Sequence, residues 1–125
     1  MTISEACEKL GLTQDTLRYY ERIGLLPKVG RNTGGFRKYT EQDCRRITTI
    51  KYMRAAGMSI NQLAQYIEMT RNGSETIDAR KSLLSETRDR LAERIDELQM
   101  TLCFLEQRVK GCETNDALED ETLFS

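Results

Sequence analysis

Four cysteines and not one histidine set the limits of reactive chemistry in this chain of 125 residues. The thiolate is the nucleophile and the metal ligand, so Cys7, Cys44, Cys103 and Cys112 are the side chains to weigh first. Cys7 lies between Ala6 and Leu10, and Cys44 continues to Ile47 and Ile50 at helical spacing. Both read as small core hydrophobes. Cys103 adjoins Leu102 but lies off its apolar stripe, and Cys112 sits where that stripe ends. Arg108 and Lys110 favour a thiolate at Cys112, while Glu106 and Glu113 oppose it. Cys112 is therefore the first redox or effector candidate and Cys103 the second. Two thiols without an imidazole do not assemble a closed tetrahedral or linear site in one subunit, so neither metal nor cofactor is expected.

Enzyme chemistry has little to work with. There is no Gly-x-Ser-x-Gly elbow, no P-loop and no Gly-x-Gly-x-x-Gly. Carboxylates are plentiful but scattered beside Lys and Arg, as on a solvated helix face. A binding protein is expected instead of an enzyme, and residues 16–26, TLRYYERIGLL, suggest what it binds. Arg18, Tyr19, Tyr20 and Arg22 are too many wide, polar-tipped side chains for a buried face.

Net charge sharpens the suggestion. Residues 1–58 hold 11 Lys and Arg against 6 Asp and Glu, a balance of +5, while residues 59–125 hold 8 against 14, a balance of −6. A basic first half with an acidic second half hints at a polyanion bound by one part only. No apolar run is long enough to cross a bilayer, and MTISEACEKL lacks the layout of a signal peptide. The expectation is a cytoplasmic protein with reduced thiols and no membrane partner.

The elements that position these residues are marked by their caps. Thr2-x-x-Glu5, Thr40-x-x-Asp43 and Ser59-x-x-Gln62 have the form of capping boxes, and Thr13 with Leu12 and Leu17 has that of a staple. Helices are predicted near 3–10, 13–24, 40–56 and 59–71. The first two, joined across Gly11, form a helix-turn-helix whose second helix carries TLRYYER. PKVGRNTGGFRKYT is too glycine-rich for helix, and Asn32 to Gly35 signals a turn between two short extended runs. A β-hairpin bearing Lys28, Arg31, Arg37 and Lys38 beside a recognition helix is a winged helix-turn-helix, whose wing meets phosphates or the minor groove.

LRYYERIGLLPKVGRNTGGFRKYTEQD, continued by MRAAGMSINQLAQYI, resembles the DNA-binding domain of the MerR family of transcription regulators over roughly residues 2–70. The resemblance implies a homodimer that binds a pseudo-palindromic promoter and distorts its over-long spacer so that RNA polymerase can engage. It implies DNA contacts from Thr13, Thr16, Arg18, Tyr19, Tyr20 and Arg22 on the recognition helix. Arg31, Arg37, Lys38 and Tyr39 match the wing, with Tyr20 shared between core and backbone.

From Ile77 onward apolar residues recur by sevens. Ile77, Leu84, Leu91, Leu98 and Leu105 form one series, and Ile95, Leu102 and Val109 fall between them, with Lys81 and Arg88 as polar interruptions. Such a seam needs a partner helix, and the resemblance implies an antiparallel coiled coil between subunits, tightest over Leu91, Ile95, Leu98, Leu102, Leu105 and Val109. The predicted fold is thus mainly α: a winged helix-turn-helix over 1–71, a linker over 72–76, a dimerisation helix over 77–111 and a flexible acidic tail over 112–125.

The effector is less determined. Metal-sensing relatives place a cysteine near the start of the long helix and a pair in the loop beyond it. Here Ala79 and Ser82 stand near that start, and Cys112 has no second cysteine after it. An aldehyde- and electrophile-responsive branch uses a cysteine just before the Met-Arg pair, where this chain has Tyr52. What remains is a stress-responsive thiol at Cys112 or Cys103, or a small-molecule pocket around Tyr52 and Tyr66. A metal-responsive regulator of the same fold, or a coiled-coil scaffold that binds no DNA, is the alternative.

Overall fold

The computed structural model describes residues 1–114 and 118–125; the middle of the tail expected to be flexible, 115–117, lies outside the described residues. Among the described residues six α-helices follow in order: α1 Ile3–Leu10, α2 Gln14–Arg22, α3 Glu41–Ala55, α4 Ile60–Arg71, α5 Ile77–Glu113 and α6 Leu118–Leu123. The class is mainly α, as expected. The chain forms two compact units, Met1–Thr87 and Arg88–Ser125.

Each of the first four helices begins where its cap residue dictates. Thr2, Thr13, Thr40 and Ser59 all sit in extended backbone, and each side-chain oxygen accepts a first-turn N–H. Thr40 with Asp43 and Ser59 with Gln62 complete reciprocal boxes. Thr2 completes half of one, because its hydroxyl donates to the Glu5 carboxylate and leaves its own N–H out. α1 stops at Gly11, whose φ of 68° lies in the left-handed region and whose N–H reaches the Cys7 carbonyl.

The first unit closes over one core. Leu17 of α2, Leu25, Leu26 and Val29 after it, Ile47 and Ile50 of α3, Met58 and Leu63 are all buried. Burying each such side chain stabilises by about 1.5–3 kcal/mol. Cys44 is buried among them, its thiol 3.9 Å from the Met1 sulfur, and Cys7 is half-buried. Burial pushes the Cys7 thiol above its ordinary value, against the opposing pull of Arg18. Lys51 reaches from α3 to the turn between α1 and α2, donating to the Leu10 carbonyl at 2.7 Å.

One segment differs from expectation. The wing forms no two-stranded sheet: its ladder is one antiparallel bridge, Arg31 to Arg37, flanked by Asn32 N–H to the Phe36 carbonyl at 2.9 Å and Lys38 N–H to the Gly30 carbonyl at 2.8 Å. At the tip the Asn32 side-chain oxygen accepts from the Gly34 and Phe36 N–H groups, and at the base the Thr40 N–H that a further rung would need donates to the Asp43 carboxylate. The segment read as a linker has a defined backbone. Gly73–Thr76 forms a 3₁₀ turn in which the Thr76 hydroxyl donates to the Met69 carbonyl at 2.6 Å, and the first compact unit runs on to Thr87.

In the second unit, α5 carries Cys112 and Glu113 inside its last turn, so this part of the tail is helix. α6 is held to α5 by Arg108, which bonds Asp120 at 2.9 Å, lies 3.7 Å from Glu119 and stacks over the Phe104 ring. No helix among the described residues is long and apolar enough to cross a membrane.

Candidate nucleic-acid interface

The outer face of α2 gathers the residues that the sequence singled out. Thr13 opens the helix, and its hydroxyl lies 2.8 Å from that of Thr16. One turn on, Arg18 is exposed and tethered only locally, to Gln14 at 3.1 Å and Asp15 at 3.6 Å. Tyr19 is partly exposed and Arg22 stacks over its ring at 5.3 Å. Local tethers of this kind straighten long side chains without satisfying them fully, and leave guanidinium donors free for an outside acceptor.

The inner face of the helix takes the other tyrosine. Tyr20 is buried beside Leu17, its ring 6.2 Å from that of Tyr19 at an angle of 47°. Residues three apart face the same way on a helix, so Leu17 and Tyr20 point into the core while Arg18, Tyr19 and Arg22 point out. Tyr20, expected to be shared between core and DNA backbone, has its ring in the core.

The wing follows, anchored at its base. Lys38 N–H donates to the Gly30 carbonyl at 2.8 Å, and Tyr39 N–H donates to the Met1 carbonyl at 2.7 Å. At its tip Arg31 donates to the Gly35 carbonyl at 2.9 Å and Gly35 takes a φ of 80°, which a side chain would strain. Lys28 and Lys38 are exposed and lie in no ion pair among the described residues. Phe36 stands 72% exposed at the tip, an aromatic that the sequence reading passed over. Its signal was present in the Gly-Phe-Arg run: a large apolar residue in a turn that has no core to offer.

Of the expected wing contacts, Tyr39 is turned inward and Arg37 is half-buried. Tyr39 is 2% exposed, with a hydroxyl that has no hydrogen-bond partner among the described residues. Its ring fills the core beside Cys44 and Ile47, and the apolar ring outweighs the polar tip. Burial raises its phenol above the ordinary value, with smaller contributions of both signs from Arg37, Glu21, Cys7 and Arg18. Arg37 is half-buried and its Nε donates to Glu21 at 2.7 Å. The Tyr39 hydroxyl therefore does not face solvent, whereas the Arg37 guanidinium keeps its two terminal NH2 groups beyond the Nε bond to Glu21.

The effector candidates do not come together. Cys103 and Cys112 are exposed, with Cys112 at a cavity of about 310 Å³ that Arg108, Lys110, Glu119 and Asp120 also line. Tyr66 lines a second cavity of about 330 Å³ with Leu25, Ile50, Leu63 and Ile67, whereas Tyr52 is 66% exposed on α3 and is not part of that wall. No three His, Cys, Asp or Glu side chains among the described residues converge as metal ligands.

Comparison with known proteins fixes the family. Residues 1–70 match the MerR HTH family regulatory protein profile, and residues 44–107 match that of the MerR DNA-binding region. The chain belongs to the MerR family. It is similar to the HTH-type transcriptional regulator AdhR of Bacillus subtilis strain 168, with 46% identity over 93 residues, 74% of this chain and 66% of that one. Among solved structures it is similar to a MerR family transcriptional regulator from Listeria monocytogenes, at 41% identity and a TM-score of 0.78 over 98% of this chain and 93% of that one. It is similar also to HiNmlR, a MerR family regulator lacking the sensor domain and bound to promoter DNA, at 33% identity and a TM-score of 0.87 over 95% and 90%. This MerR-family chain is thus a transcriptional regulator of the helix-turn-helix class.

Proposed function

We propose that this MerR-family regulator binds a pseudo-palindromic promoter as a homodimer and distorts its spacer to control transcription. The observation that carries the reading is the outer face of α2. Thr13, Thr16, Arg18, Tyr19 and Arg22 form one exposed face on a helix whose other side is core, next to a wing with Lys28, Arg31 and Lys38 exposed. Arg18 reads a base edge or grips phosphate, Tyr19 and the wing cations grip phosphate and sugar, and Tyr20, Arg37 and Tyr39 hold these groups in place.

Dimerisation rests on the seam. Ile95, Leu98, Leu102, Leu105 and Val109 are each about half exposed, at 47–57%, on one stripe of α5. An apolar stripe of that length in water is matched by a second helix. An antiparallel pairing of two copies carries two recognition helices at a fixed separation, and half-site spacing follows from it.

The decisive experiment selects duplexes from a randomised library with the full chain and maps protection on the winners. Two symmetric protected half-sites are expected, with the bend centred between them. A single protected half-site would reject the dimeric reading, and recovery of no preferred duplex would favour the scaffold alternative.

A further inference from the structure

We propose that Glu21 is a positioning residue of the DNA interface, and that Arg37 serves DNA binding through Glu21 instead of through a phosphate. The inference rests on the DNA-binding reading above. Glu21 lies on α2 between Arg18 and Arg22, on the helix that faces DNA. A carboxylate there should repel a polyanion, so its presence calls for a reason. Its side chain is only 11% exposed and that of Arg37 25%, and the Nε to Oε2 distance of 2.7 Å is that of a strong charge-assisted bond.

Topology makes this bond matter. The wing meets the rest of the unit at its base, through Lys38 to Gly30 and Tyr39 to Met1, and its tip is closed on itself by Arg31, Asn32 and Gly35. Arg37 to Glu21 is the side-chain bond that ties the wing directly to α2, across 16 residues. Val29 and Tyr39 seat the roots of the wing in the core beside Leu17 and Tyr20. Beyond those roots the short ladder leaves the Arg37–Glu21 bond to set the angle of the outer wing to the recognition helix. Arg37 therefore commits its Nε–H and much of its charge to Glu21, and the pair fixes where Lys38 and Phe36 stand.

The test uses the duplex selected by the wild-type protein, with affinity measured over a salt series. Simple electrostatics predicts that Glu21→Leu binds DNA more tightly, since a negative charge leaves the interface. Positioning predicts the opposite, a loss of about tenfold, the order of one charge-assisted hydrogen bond. Arg37→Gln should lose a similar factor with its salt slope unchanged, whereas loss of a phosphate contact would lower the slope by about one. The swap Glu21→Arg with Arg37→Glu should recover most of the affinity, and melting curves on all variants separate misplacement from unfolding. Unchanged or tighter binding by folded Glu21→Leu, or a reduced slope for Arg37→Gln, would overturn the proposal. Failure of the wild type to select any duplex would instead strike the DNA-binding reading itself.

Discussion

Tyr39 is a phenol whose ring is worth burying and whose hydroxyl is left without a partner. An unsatisfied buried hydroxyl costs about 1–3 kcal/mol, so Tyr39→Phe should stabilise the protein by about 1 kcal/mol in denaturant titrations. If the hydroxyl served DNA, the same variant would lose affinity; equal binding by both proteins is expected. Titration gives a second check. Burial holds the folded-state phenol above its ordinary 10.0, so the folded protein keeps a proton that the unfolded chain releases. Stability is then complete below pH 10.0 and falls as the pH rises beyond it. Tyr39→Phe should flatten that alkaline loss, and superimposable curves would show that the phenol is not responsible. Arg18 is the contrasting residue, exposed and held only by its own helix. Arg18→Ala should cost about 1–3 kcal/mol of operator affinity and relax base preference at one position of each half-site. Retention of both would remove Arg18 from base reading.

Among the elements, helices were easy to read and the wing was not. Thr13, Thr40 and Ser59 cap their helices in the structure because a side-chain oxygen placed before a first turn answers a local need that no distant contact overrides. Arg18 and Tyr19 are exposed for the same local reason, helical periodicity against Leu17. The wing depends on what lies across from it. Nothing in GRNTGGFRKYT says that Asn32 will take the N–H groups of Gly34 and Phe36, or that Glu21 will be waiting for Arg37. Tyr39 could be read by its polar tip or its apolar ring, and only the depth of the core decides. The seam of α5 tests the element scale directly. Ile95→Asp with Leu98→Asp should give monomers, because two carboxylates facing an apolar partner are desolvated at several kcal/mol. Sedimentation that still showed a dimer would place the interface elsewhere.

At the scale of the whole molecule, charge is divided between a basic first half and an acidic second half. Operator affinity should fall steeply with salt as Lys and Arg release condensed counterions, and a flat salt series would contradict a phosphate-gripping interface. The exposed thiols belong here as well, because Cys103 and Cys112 lie in the second unit and the recognition helix in the first. Transcription from the selected promoter under an electrophile should lose its response in Cys112→Ser with Cys103→Ser. An unaltered response would turn attention to the cavity beside Tyr66. Lys51 has a consequence of another kind. Its bond to the Leu10 carbonyl spans 41 residues and caps the end of α1 from α3. Until α3 has left the ribosome, α1 and α2 keep their local caps but lack the Lys51 bond and the packing of Ile47 and Ile50, and helices of 8 and 9 residues are marginal on their own. The nascent chain should therefore acquire its recognition helix late and all at once, and a peptide ending at Leu26 should show little helix by circular dichroism.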